Sequence, residues 1–221
     1  MTHSYSPRHP HHGRHPHRSH QSDLRSLERE EDERHSYHDP SLGLKVVSIV
    51  VGECSVSDQP DVVITTTLGS CVAACLFDPE RAIGGMNHFL LADPVGDQLS
   101  ASARYGSAAM EQLINRMLTI TRRRDRLRAK IFGGANTLSQ TNSIGARNVE
   151  FVMEYLANEG IPTISWDVGG EQGRAVRFFP TSGRSQRRLI GGGGFNSILK
   201  SENRFAETLR KSKIEGDIEL F

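Results

Sequence analysis

Short apolar runs bounded by turn residues dominate the chain from residue 44 to about residue 91. They are rich in β-branched and aromatic residues, which is typical of strands rather than helices. The predicted strands are Lys45–Val51, Asp61–Thr67, Val72–Phe77 and Ile83–Leu91. The pattern therefore predicts that this half of the folded region is mainly β-sheet.

The second half alternates helical and strand patterns. Apolar residues recur at helical spacing over Ala103–Arg122 and Ile144–Glu159, and Gly160 follows the second helix as a helix-ending residue. Short apolar runs predict further strands at Arg128–Phe132, Ile161–Val168, Arg174–Pro180 and Arg187–Ile190. The mixture predicts an α+β fold, a layered α/β sandwich with a mixed or antiparallel sheet packed by two long helices.

The two ends of the chain differ in composition from its middle. Residues 1–43 are rich in His, Arg, Ser and Pro, and they hold too few apolar side chains to offset chain entropy, so we expect a disordered tail. The histidines of residues 9–17 would at most bind a transition metal loosely; a plain solvated tail is the alternative. Residues 44–194 form the predicted single domain, and residues 195–221, charged and weakly amphipathic, are predicted to be a flexible extension.

Charge and cysteine content narrow the class of protein. The chain has 27 basic and 26 acidic side chains, a near balance that argues against a nucleic-acid surface. The arginine run at residues 122–128 is typical of a solvated helix end, with docking to an acidic partner or lipid headgroups as the alternative. Three cysteines do not make a disulfide framework. Without a signal peptide or a membrane-spanning apolar run, the sequence predicts a cytoplasmic protein with no direct membrane insertion.

A single histidine, His88, lies outside the first 38 residues. An Asp-Pro turn at Asp78–Arg81 predicts a hairpin between the strands on either side of it. If that hairpin is centred on Pro79-Glu80, paired residue numbers sum to 159 and Cys71 lies opposite His88. Imidazole is the side chain best suited to deprotonate a thiol near neutral pH, so the pair predicts a cysteine nucleophile with a histidine base.

Other interpretations of these residues remain open at this point. Free cysteines are commonly inert, buried side chains, and we expect that role for Cys54 and Cys75. Cys71 would alternatively open a short helix, whose N-terminus would lower its pKa. His88 would alternatively be a satisfied core histidine. A glycine bulge at Gly84-Gly85 would shift the hairpin register by one.

Several ordered motifs resemble the chemoreceptor glutamine deamidase family, CheD. The resemblance runs from about Val46 to about Gly194, and the ending Gly216–Phe221 is also similar to family members. The motifs are Leu68-Gly-Ser-Cys71-Val-Ala, Gly84-Gly-Met-Asn-His88-Phe-Leu-Leu, Lys130-Ile-Phe-Gly-Gly-Ala135, Ile144-Gly-Ala-Arg-Asn148-Val and Asp167-Val-Gly-Gly170. The long N-terminal tail departs from the compact family pattern.

The resemblance implies a site on a sandwich like that of papain-like and toxin deamidases. It implies Cys71 as nucleophile, His88 as base and Thr65 as the residue that orients the imidazole. Thr66 and Thr67 adjoin Thr65, and strand parity places Thr65 and Thr67 on one face with Thr66 on the other. We expect backbone amides near Ser70–Val72 to hold the oxyanion, with Ser70 and Val72 as the supporting residues. No metal or organic cofactor is implied.

The implied reaction is hydrolysis of glutamine side chains in the cytoplasmic helical bundle of methyl-accepting chemoreceptors. Members of the family that the chain resembles can also hydrolyse glutamyl methyl esters, and some bind a CheC-type phosphatase. Two alternatives belong to other classes: a non-catalytic regulatory module that binds such a phosphatase or receptors, and a cysteine peptidase or transglutaminase that shares the acyl-thioester step.

Overall fold

The computed structural model describes residues 35–91, 99–136 and 144–212. Within these ranges the chain forms two five-stranded sheets and three α-helices. The strands are β1 (Ser36–Asp39), β2 (Leu44–Ser48), β3 (Cys54–Ser57), β4 (Val62–Leu68), β5 (Val72–Asp78), β6 (Ile83–Asn87), β7 (Arg128–Gly133), β8 (Thr163–Val168), β9 (Gly173–Phe179) and β10 (Arg184–Ile190). The helices are α1 (Leu99–Thr121), α2 (Ile144–Asn158) and α3 (Gly192–Ser212).

The strands divide into two mixed sheets. The first has the order β1-β2-β4-β9-β10, in which only β2 and β4 are parallel. The second has the order β3-β6-β5-β7-β8, in which only β7 and β8 are parallel. The predicted layered α+β sandwich is thereby confirmed, with two sheets in it.

Two apolar cores hold the layers together. One core contains side chains from both sheets, including Ile64, Leu68, Met86 and Phe178. The other lies between the second sheet and helices α1 and α2. Strand β5 contributes alternate residues to each core and is buried along its whole length, as expected for the central strand of a three-layer arrangement.

The ends of the described region differ from the sequence prediction. Strand β1 pairs with β2 through residues assigned to the disordered tail, so the folded unit begins at His35 rather than at residue 44. Residues 192–212 form helix α3, where a flexible extension was predicted after residue 194. An apolar stripe that includes Phe195 and Ala206 packs this helix against the domain. The tail predictions for residues 1–34, including the metal-binding alternative, lie outside the described residues.

The arginine run after α1 has a local structural explanation. It includes a short 3-10 helix at Arg124–Arg126. Three of its arginines, Arg123, Arg124 and Arg126, form ion pairs with Asp125, Glu159 and Glu80. No helix among the described residues combines the length and apolar character needed to cross a bilayer.

Candidate active site

The hairpin that carries Cys71 and His88 is present, but its register differs from the prediction. Cys75 pairs with Met86, and Asp78 with Ile83, so paired numbers sum to 161 rather than 159. The turn is longer than predicted, because it includes Ala82 in a left-handed conformation with φ of 50°. A shift of two residues leaves every side chain on its original face. Cys71 is therefore not directly opposite His88, yet both face the core between the sheets.

The two predicted catalytic side chains lie within reach of each other, and a third joins them. The Cys71 sulfur, a ring nitrogen of His88 and a carboxylate oxygen of Glu202 all lie within 4.8 Å of one another. All three residues are buried, and Glu202 comes from helix α3. The sequence prediction did not include Glu202.

Thr66 orients the imidazole, not Thr65. The Thr66 hydroxyl lies 2.8 Å from Nδ1 of His88 and donates a hydrogen bond of 2.7 Å to the carbonyl of Ile49. Thr65 instead contacts the Ser48 hydroxyl at 3.1 Å on the other face of β4. The Thr65 assignment is therefore corrected. The sequence did carry a signal for Thr66, because it shares the parity of Ile64 and Leu68, which face the core.

The hydrogen bonds of Thr66 fix the tautomer of His88. A hydroxyl has one proton, and the carbonyl of Ile49 can only accept it. The Thr66 oxygen must then accept from Nδ1–H of His88, which leaves Nε2 unprotonated. Nε2 is buried and has no hydrogen-bond partner among the described residues. Its lone pair is therefore available to accept the thiol proton of Cys71.

The loop Gly69–Cys71 presents three backbone N–H groups to one point. Gly69 donates to Oε1 of Glu202 at 2.7 Å, and Cys71 donates to the same oxygen at 3.3 Å. The amide and the hydroxyl of Ser70 both donate to Oε2 at 2.8 Å. Successive amides that converge in this way form an anion-binding nest. The position suits the oxyanion of a tetrahedral intermediate on Cys71.

Val72 does not belong to this nest. Its N–H donates to the carbonyl of Phe89 at 3.0 Å in the bridge between the two hairpin strands. The predicted support from Val72 is therefore wrong, and Gly69 provides the additional amide. The amide of Ser70 does lie in the nest, and its role in holding an oxyanion stays a prediction.

The nest is held from behind through its carbonyl groups. Those of Gly69 and Cys71 accept from the amides of Ala135 (2.8 Å) and Gly134 (2.7 Å). The carbonyl of Ser70 accepts from Nδ2 of Asn148, at 2.7 Å. Each carbonyl shares its peptide plane with the N–H of the following residue and points the opposite way, so the bonds to the carbonyls of Gly69 and Ser70 turn the amides of Ser70 and Cys71 toward the site. The bond to the Cys71 carbonyl anchors the end of the loop.

Asn148 is a positioning residue that the sequence prediction missed. It is fully buried on α2, and its Oδ1 also accepts from the amide of Leu91 at 2.8 Å. An amide side chain beside the apolar stripe of a helix was the available signal, since buried polar groups need specific partners.

Burial sets the protonation of the site in this structure. It raises the pKa of the Cys71 thiol well above its usual range, and the nearby Glu202 carboxylate raises this pKa further. Burial lowers the pKa of His88 to about 3. Both side chains are therefore neutral near pH 7, because desolvation penalises the charged form of each. The structure therefore holds a neutral thiol and a neutral imidazole rather than an ion pair.

The same three side chains offer a thiol, an imidazole and a carboxylate, a donor set that zinc also takes. However, both oxygens of Glu202 already accept hydrogen bonds from the loop. The carboxylate is thus held as an anion in a backbone nest, and the contacts of this group need no cation to explain them.

Comparison with known proteins identifies the family to which the domain belongs. A family model described as CheD chemotactic sensory transduction matches residues 90–189. A probable chemoreceptor glutamine deamidase CheD of Agrobacterium fabrum is 45% identical over 177 residues, covering 80% of this chain and 97% of that protein. The chain belongs to the CheD family. The CheD of Caulobacter vibrioides, also named a probable chemoreceptor glutamine deamidase, is 42% identical over 189 residues, covering 84% of this chain and 99% of its own.

The family-model match and the site residues Cys71 and His88 lie in different parts of the chain. The stretch matched by the CheD model begins two residues after His88, so it includes neither Cys71 nor His88. The structure, not this match, shows that the two side chains lie close together. Among solved structures, a Neisseria meningitidis protein shows 13% identity and a TM-score of 0.37, covering 68% of this chain and 77% of its own.

Proposed function

We propose that this protein is a chemoreceptor glutamine deamidase that acts in the cytoplasm through a thioester on Cys71. Membership of the CheD family supports the substrate and the reaction class. The single observation that supports the mechanism is that the Cys71 sulfur and a ring nitrogen of His88 lie within 4.8 Å of each other, beside three convergent backbone amides.

The first half of the reaction forms the thioester. Nε2 of His88 takes the thiol proton as the Cys71 sulfur attacks the carboxamide carbon of a substrate glutamine. The carbonyl oxygen becomes an oxyanion, which the amides of Gly69 and Cys71 stabilise. The intermediate then collapses: the carbon–nitrogen bond breaks, and His88 transfers its proton to the departing nitrogen, which leaves as ammonia.

The second half releases glutamate. A water molecule gives a proton to Nε2 of His88 while its oxygen attacks the thioester carbon. The carbon–sulfur bond breaks, the thiol of Cys71 regains its proton, and the side chain becomes a carboxylate. The balance is one amide and one water converted to one carboxylate and one ammonium ion. Thr66 keeps its hydrogen bond to Nδ1 throughout, which holds the imidazole in the tautomer that both halves need.

Intact-mass analysis of a receptor cytoplasmic fragment tests this proposal. Wild-type protein should add about one dalton per modified site, localised to glutamine, and the Cys71→Ala variant should add none. Cys75→Ser is the matched control, because Cys75 is equally buried on the same face and in the same core but does not belong to the nest. Equal loss of activity in both variants would argue against Cys71 as the nucleophile.

A primary amine added to the same reaction separates hydrolysis from amide transfer. A transglutaminase would form an amine adduct, whereas a deamidase gives glutamate. Binding of the fragment without any mass change, in wild type and variant alike, would favour the regulatory-module alternative. The CheC-type phosphatase and the methylesterase activity remain predictions of the family resemblance, to be checked by co-purification and by methanol release.

A further inference from the structure

Helix α3 carries one acidic residue in the middle of its apolar face. Phe195 and Ala206 are 7% and 6% exposed, and Glu202 between them is 2% exposed. Burying a carboxylate is costly unless hydrogen bonds replace its water. The replacement here comes from four donors on three consecutive residues, Gly69–Cys71, the loop that carries the nucleophile.

The side chain in this nest has the chemistry of the reaction product. Deamidation converts a glutamine to a glutamate, and the product carboxylate forms at the Cys71 sulfur, among the oxyanion-binding amides. Glu202 places a glutamate carboxylate at that point, within 4.8 Å of Cys71 and His88. It also projects from a helix, as the receptor glutamines of the proposed function do.

The surface under α3 is shaped for close approach of a helix. A Cβ atom at Gly69 would lie 2.8 Å from the Glu202 carboxylate and 3.1 Å from Leu199. A Cβ atom at Gly173 would lie 3.1 Å from both Ile198 and Phe195. Because neither glycine has a positive φ, backbone conformation does not explain its presence, and the absence of a side chain is what lets the helix sit this close.

One flank of α3 is not packed against the part of the domain that the structure describes. A cavity of about 440 Å³ opens beside Glu202, with Ile198 and Ser201 of the helix on one side and Thr66, His88 and Arg177 among the residues opposite. The helix therefore seals the nest but does not fill the space beside it.

We propose that the surface beneath α3 is the docking surface for a glutamine-bearing amphipathic helix, and that α3 occupies it as an intramolecular mimic of the product. The partner is a helix with apolar residues three and four positions on either side of its glutamine, as Leu199, Ile198, Phe205 and Ala206 flank Glu202. The substrate helix must displace α3 before Cys71 can react. This inference rests on the proposed function.

The charge on Glu202 agrees with an inhibitory role. A carboxylate beside Cys71 raises the pKa of the thiol, and α3 also excludes water from it. Departure of the helix removes both effects at once. The occupied state is therefore a resting state, and competition with a substrate helix controls access to the nucleophile.

The Glu202→Gln variant tests the placement directly, because it converts the product mimic into a substrate. Peptide mapping of this full-length variant should show residue 202 as glutamate, with a gain of about one dalton, when Cys71 is intact. In the double variant with Cys71→Ala, residue 202 should remain glutamine. The matched control is Glu207→Gln, an exposed position on the same helix, which should remain glutamine in both backgrounds.

Kinetics with the receptor fragment give the second measurement. Glu202→Ala removes the anchor of α3, so the open form becomes more populated and the apparent KM should fall by roughly tenfold or more, with kcat little changed. The inference about α3 is wrong, and the proposed function stands, if three results occur together. The receptor fragment is deamidated, the glutamine of the Glu202→Gln variant is not, and Glu202→Ala leaves KM unchanged. If neither the fragment nor the introduced glutamine reacts, the proposed function itself fails.

Discussion

The link from Ile49 through Thr66 to His88 makes a sharp prediction about catalysis. Thr66→Val keeps the shape of the side chain but removes the hydroxyl that accepts from Nδ1 of His88. The imidazole then loses its preference for the tautomer with Nε2 unprotonated. We expect the folded variant to bind substrate but to deprotonate Cys71 poorly, so the loss should appear in kcat.

The expected size of this effect follows from the hydrogen bonds that Thr66 makes. A hydrogen bond left unmade inside a protein costs about 1–3 kcal/mol, which corresponds to about 5- to 150-fold in rate if the whole cost falls on the active tautomer. The same substitution leaves two buried groups without partners, Nδ1–H of His88 and the carbonyl of Ile49. The free energy of unfolding should therefore fall by about 2–6 kcal/mol, against a typical total of about 5–15 kcal/mol.

The neighbouring residue provides the matched control. Thr65→Val removes only the half-buried contact with Ser48 and a 3.5 Å approach to the carbonyl of Val47, so activity should change by less than about threefold. Thr66→Ser retains the hydroxyl and should recover most of kcat. The assay is ammonia release from a receptor fragment, corrected for the folded fraction measured by denaturant titration.

Two results would refute the reasoning. If Thr65→Val loses as much kcat as Thr66→Val, the sequence-derived Thr65 assignment is right and the observed hydrogen bond is not the functional one. If Thr66→Val loses only stability and keeps kcat per folded molecule, the hydroxyl has a structural role and does not select the tautomer of His88.

Three further predictions concern the support of the site. Asn148→Leu should lower activity at least about tenfold and stability by about 2–6 kcal/mol, since two buried backbone groups lose their partner; denaturant titration and ammonia release measure both. Gly133→Ala, at φ of 110°, would put a Cβ into the Cys71 carbonyl oxygen and should abolish activity. Gly160→Ala, at φ of 68° in open space, should cost only about 1–2 kcal/mol and leave activity intact. Because the pKa of His88 falls from 6.5 unfolded to about 3 folded, its contribution to stability is complete above pH 6.5 and is lost as pH falls. Between about pH 6 and pH 5, wild-type stability should decline by about 1 kcal/mol more than that of His88→Gln.

Much of the site could be predicted from strand parity alone. Cys71 and His88 meet although the predicted register was wrong by two residues, because an even shift keeps both side chains on one face. The turn extends to Ala82, and an alanine gives no sequence signal for a left-handed backbone conformation. The predicted pairing therefore failed in detail, whereas the predicted encounter of thiol and imidazole is what the structure contains.

Contacts between the two sheets could not be predicted from the pattern of residues within one strand. Thr66 lies in the first sheet and His88 follows a strand of the second, so their meeting depends on how the sheets stack. Periodicity within one strand shows which residues share a face but not what that face contacts. The same limit applies to Glu202, which is 131 residues from Cys71 in sequence. Its only local signal was a charge within an apolar stripe, in a segment predicted to be flexible.

The two sides of the Gly69–Cys71 loop bear on hydrogen exchange. Its carbonyls are bonded to Gly134, Ala135 and Asn148 within the fold, and Cys71 leads directly into the buried strand β5. Among the described residues, its N–H groups donate only to the carboxylate of Glu202 on helix α3. These three amides would thus exchange with solvent deuterium whenever α3 departs. The amides of β5 would exchange only on global unfolding. Their exchange rates would report how often the nucleophile of the resting protein is exposed.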